Sequence, residues 1–154
     1  MDYRGQSCTV YPVSWDGVET HPTDSARLAS ERAFQGALMT GLRRAGLQPR
    51  PPEDGLPDQP IVVTSYVKRA DAGGQIVRWL AWPGVTGAFD VAGEVGDATS
   101  LFGRFGAGKA RMNVWFGLDL FGWHNRDADV VLSEAAKVSG ERAAAEIVAV
   151  LAAR

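Results

Sequence analysis

At 154 residues and 16.5 kDa, with 45% hydrophobic and 22% charged residues, the chain has the length and balance of one globular domain spanning residues 1–154. Sixteen Lys and Arg against eighteen Asp and Glu leave a net charge of -2, so the global basic field behind sequence-independent nucleic-acid binding is missing. Cys8, His21 and His124 are the only cysteine and histidines, which excludes an internal disulfide and leaves a Cys/His zinc site short of ligands.

The first seven residues carry no apolar signal core, and no run of about 18 apolar residues occurs, so neither a secretory signal nor a spanning helix is predicted. Residues 9–15 read as a first strand with Val10 and Pro12 opposed to Tyr11, Val13 and Trp15; Pro12 places it at an edge or terminus. A helix is predicted to start at Thr23 or Ser25, whose hydroxyls can accept an orphan amide hydrogen, with Asp24 at the positive end of the dipole. Phe34, Leu38, Leu42 and Ala45 recur on one face of it. Gly46 fits the left-handed terminating position, Leu47 can fold back onto the helix, and Pro49 stops continuation.

Residues 50–59 are rich in proline and acidic side chains and read as an irregular connection. The β-rich run 61–67 then gives a strand-helix-strand unit, long enough for a right-handed crossover between parallel strands. Half of the chain's 18 glycines fall in residues 72–108, interleaved with Trp79, Leu80, Trp82, Phe89, Leu101 and Phe105. Flexible linkers lack such aromatics, so this stretch reads as an apolar excursion, with a strand at Phe89, Val91 and Val95. Residues 110–120 alternate strictly between apolar and polar and predict a long half-buried strand. Residues 122–127 read as a turn and 130–138 as the hairpin partner, with Glu134 and Asp119 able to face each other across it. A last helix is predicted from Ser139-Gly140-Glu141 onward, with Ala144, Ile147, Val148 and Leu151 as its apolar stripe. The expected fold is an α+β two-layer sandwich, β-α-β-(excursion)-β-β-α, whose mixed, mostly antiparallel sheet carries two helices on one face.

Signals for chemistry are thin. Residues 103–109, with Gly103, Gly106, Gly108 and Lys109, match the spacing of a phosphate-binding glycine loop. Ala110 replaces the magnesium-binding Ser or Thr, and a strand rather than a helix follows, so a glycine-rich bend that lets backbone approach a neighbour is the better reading. No Gly-x-Ser-x-Gly elbow occurs, Cys8 has no neighbouring His, and His21 and His124 fall in loops. No cofactor and no catalysis are expected. Five tryptophans (Trp15, Trp79, Trp82, Trp115 and Trp123) are many for this length, and Trp115 falls on the polar-facing side of its predicted strand. Since Trp is enriched at binding hot spots, Trp79, Trp82, Phe89, Phe105 and Trp115 are the candidate interface for a protein partner or for self-association.

Arg78, then Gly103-Arg104-Phe105-Gly106-Ala107-Gly108-Lys109-Ala110 running into the alternating strand from Arg111, resembles domain-of-unknown-function family 4410, bacterial cell-envelope proteins that are commonly lipoproteins. The resemblance implies a periplasmic or outer-membrane-associated, non-enzymatic protein that acts through protein contacts, attached to a membrane only through a lipid anchor. No such anchor is visible in this chain: Cys8, after Gly5-Gln6-Ser7, could be the remnant of a lipid-accepting site, yet the residues before it are not apolar. A small-ligand module, binding a lipid or metabolite in an apolar pocket between helices and sheet, is the alternative.

Overall fold

The computed structural model describes residues 2–18, 22–54, 60–71, 85–106, 110–114 and 128–154. The elements are β1 (Ser7–Val10), α1 (Asp24–Arg44), β2 (Gln48–Arg50), a short 3-10 turn (Pro52–Asp54), β3 (Ile61–Asp71), β4 (Val85–Gly96), β5 (Leu101–Phe105), β6 (Ala110–Val114) and α2 (Ala128–Ala152). They form one mixed sheet in the order β2-β1-β3-β4-β5, with β6 also paired to β4. This is an α+β fold with two helices packed on one sheet.

Helix α1 begins and ends as its local chemistry requires. The Thr23 hydroxyl accepts from the Ala26 amide at 3.3 Å, Asp24 lies in the first turn, and Arg43 and Arg44 lie in the last. At the far end Gly46 takes φ +99°, the Gly46 amide donates to Arg43 and the Leu47 amide to Leu42, and Leu47 folds back into the core. The chain then does not become irregular at once: Gln48–Arg50 adds a three-residue edge strand parallel to β1, where Pro49 is tolerated because an edge strand can spare a donor.

β1 is shorter than its predicted span, because residues past Val10 leave the ladder and rejoin it only at the Ser14–Tyr66 bridge. β1 lies parallel to β3, and β3 antiparallel to β4. Along β3, Ile61, Val63, Ser65 and Val67 point to the helices while Thr64, Tyr66 and Lys68 point away, until a bulge after Val67 shifts the register.

Two expectations are corrected. Within the predicted excursion the described residues 85–106 hold two strands of the sheet where one was expected: β4, over the predicted strand at Phe89, Val91 and Val95, pairs with β3, β5 and β6, so these three residues are fully buried, and β5 follows it. Glycines belong in this strand because of close approach. The Phe105 ring lies over Gly93, and a β-carbon at Gly103 would stand 2.7 Å from a Val150 methyl of α2.

The second correction is α2. Residues 130–138 are not a hairpin partner, and the helix does not start at Ser139; one helix runs over Ala128–Ala152. Val131, Leu132, Ala135, Ala136, Ser139, Ala143, Ala144, Ile147 and Leu151 are its buried positions, a spacing of three and four that begins well before Ser139. The β-branched Val130-Val131 pair imitates a strand over so short a run. Gly140 imitates a helix boundary but sits inside the helix, where a β-carbon would stand 2.5 Å from the Phe34 carbonyl oxygen and 2.8 Å from the Ala37 β-carbon. Glu134 is therefore a helix residue, and its predicted cross-strand partnership with Asp119 is lost.

Gly41 lies beside Ala144 as Gly140 lies beside Ala37, so the two helices run parallel, in contact through glycine. Between them and the sheet, Phe89 meets Phe34 and Trp15 with ring centroids 5.9 Å apart in both cases. Arg27 caps Trp15 at 5.2 Å from the ring centroid. The Ser139 hydroxyl donates to the Phe89 carbonyl oxygen, tying α2 to the middle of the sheet.

Candidate functional site

Two of the predicted interface residues are core residues. Phe89 is 0% exposed and Phe105 3%, so neither can be presented to a partner; burying one phenyl ring is worth about 1.5–3 kcal/mol, which the fold itself uses. Trp79, Trp82, Trp115, Gly108 and Lys109 lie outside the described residues, as do Arg78, His21, Trp123 and His124. Gly103 belongs to β5 and Ala110 opens β6, and both strands pair with β4. The glycine motif thus joins two strands of one sheet, without the helix N-terminus that a phosphate-binding loop needs. Gly103 instead lets β5 lie against Val150, and Gly106 has open space around it.

Cys8 is not presented at the surface. It sits on β1 between β2 and β3, fully buried, and desolvation pushes its thiol from 9.0 up to about 12. Among the described residues no group of three or more His, Cys, Asp or Glu could hold a metal ion. No helix among them is long and apolar enough to cross a membrane.

Two surfaces remain. The first is one end of the sheet. Asp71 pairs with Ala88 near the start of β4, and Val85 pairs with Val114 at the end of β6. Both connections attached there, residues 72–84 and 115–127, therefore leave from the same end, and together they carry four of the chain's five tryptophans.

The second is a trough of about 860 Å³ along the outer seam of α1 and α2. Ala33, Ala37, Gly41, Ala144 and Val148 line it, with Arg32 and Arg44 on the α1 side and Glu134, Lys137 and Glu141 on the α2 side. Its rims are exposed at Arg32, Arg44, Lys137 and Glu141, so it faces solvent and is no enclosed pocket. The space between helices and sheet, where a ligand pocket was the alternative reading, is filled by Phe34, Leu38, Phe89, Val91 and Ile147. The trough escapes sequence reasoning because it needs both helices at once. Its trace in the sequence is the recurrence of small residues at 33, 37 and 41 on α1 and at 45, the position that follows the helix.

No protein-family model matches the chain, and no curated protein does. Among solved structures it is similar to the PelC dodecamer from Paraburkholderia phytofirmans and to a point variant of that dodecamer. Each has a TM-score of 0.41 and 14% identity over 92% of this chain, covering 89% of the former and 90% of the latter.

Proposed function

We propose that this chain is a non-enzymatic component of the bacterial cell envelope that works through protein contacts made at the end of the sheet where residues 72–84 and 115–127 attach. The supporting observation is the shared register of Asp71, Val85 and Val114, which puts at one end of the sheet the points where the two connections that carry Trp79, Trp82, Trp115 and Trp123 in sequence attach. Tryptophan is among the residues enriched at binding hot spots, which is why these two connections are the proposed contact segments. The envelope location rests on the resemblance carried by residues 103–120. The lone thiol is buried with its pKa pushed up to about 12, and the buried Ser139 hydroxyl donates to the Phe89 carbonyl oxygen.

The test is in-cell crosslinking with envelope fractionation, comparing the unaltered chain with Trp79→Ala/Trp82→Ala. The expected result is a chain recovered with the envelope, whose crosslinked species fall at least tenfold in the double variant. A cytosolic chain, or crosslinks indifferent to both substitutions, would overturn the reading.

A further inference from the structure

We infer that the α1–α2 trough is a docking surface for a second copy of this chain, with α1 of each copy lying on α2 of the other. This does not depend on the aromatic end of the sheet, which is a different surface.

The first observation is an unexplained glycine. Leu28, Arg32, Gly36, Thr40 and Arg44 follow at intervals of four and form the outer ridge of α1. Glycine inside a helix is less favourable than alanine, because it loses more backbone freedom on folding. At Gly41 and Gly140 the other helix explains it, whereas a β-carbon at Gly36 would meet nothing within 4 Å. Leu28, on the same ridge, is 47% exposed. The ridge is shaped for close approach by something that the described residues do not supply.

Charge selects the occupant. The α1 rim is purely basic, through Arg32 and Arg44, and the α2 rim is net acidic, through Glu134 and Glu141 with Lys137 between them. Gly41 beside Ala144 and Gly140 beside Ala37 fix the relative height of the helices, and they put Glu134 within one residue's rise, about 1.5 Å, of the level of Arg32. Among the described residues no ion pair joins the two rims. Two rotations bring the helix layers of two copies face to face. A two-fold axis across the helices sets α1 on α1, and Arg32 faces Arg44. A two-fold axis along the trough sets α1 on α2 at equal height, and Arg32 faces Glu134 of the second copy twice over. The second arrangement is isologous and closed, and it builds a four-helix layer whose centre is lined by small side chains.

The experiment measures mass in solution by light scattering for Arg32→Glu, Glu134→Arg, and an equimolar mixture of the two, with circular dichroism confirming that each is folded. Each variant alone places like charges across both contacts, and its dissociation constant is expected to rise at least about tenfold. In the mixture the acid introduced at 32 meets the base introduced at 134, and the native Arg32 meets the native Glu134, so the dimer returns. A merely structural role for either residue would not be rescued by mixing. Variants that keep the mass of the unaltered chain, a mixture that stays monomeric, or an unaltered chain that never exceeds 16.5 kDa would each overturn the inference.

Discussion

Gly140 and Gly36 are the same residue type in the same helical layer, and their surroundings are opposite. A side chain at Gly140 would strike the backbone of Phe34 and the β-carbon of Ala37, and one at Gly36 would enter open space. The inner seam of the helix pair is thus completed within the chain, and the outer seam is left for a neighbour. A glycine in a helix is informative only once its surroundings are known: at 140 it is packing, at 36 it is an unfilled contact.

Substitutions separate the two seams, and the largest effect is expected inside. Gly140→Ala must push α2 off α1 or shift the carbonyl of Phe34, and since overpacking against backbone lies at the costly end of such changes, a loss of about 3 kcal/mol is expected in denaturant unfolding. A value below about 1 kcal/mol would mean the helices are not in contact there. Gly36→Ala is expected to act in the other direction. It should stabilise the folded monomer by about 0.4–1 kcal/mol through helix propensity and a less flexible unfolded chain, while weakening self-association. Unfolding measured at low concentration and dissociation measured at high concentration read the two effects separately.

The smallest effect at neutral pH belongs to Cys8, far from both seams. Its thiol keeps its proton in the folded chain up to about pH 12 and loses it near 9.0 when unfolded, so the unfolded state binds fewer protons between those values. Stability should therefore be independent of this group at pH 7 and fall as pH rises above about 9. Thiol reagents should label Cys8 at neutral pH only after unfolding. Rapid labelling of the native chain would place the thiol at the surface.

What could be read from the sequence divides along similar lines. The start and end of α1 were legible because each is a local signal: a hydroxyl at Thr23, a left-handed glycine at Gly46 and a returning Leu47. β3 was legible because residues 61–67 are rich in β-branched and aromatic side chains, a local signal for a strand. The failures came where a local signal had a tertiary cause. The glycines of β4 and β5 resemble a loop, yet Gly93 makes room for Phe105 and Gly103 for Val150. Gly140 resembles a helix start, yet it serves contact with α1, and Val130-Val131 resembles a strand only until Leu132, Ala135 and Ala136 continue a helical face. The candidate interface failed in the same way at Phe89 and Phe105, since aromatic content alone does not separate a core residue from a contact residue. The trough was illegible because it exists only between two helices, one of which the sequence splits in two.

The most direct test is the mass of the unaltered chain in solution across a hundredfold range of concentration. A mass that climbs from 16.5 kDa toward twice that value is predicted, because the outer seam is completed by a second copy. A mass fixed at 16.5 kDa throughout would contradict it and leave Gly36 and Leu28 without a partner.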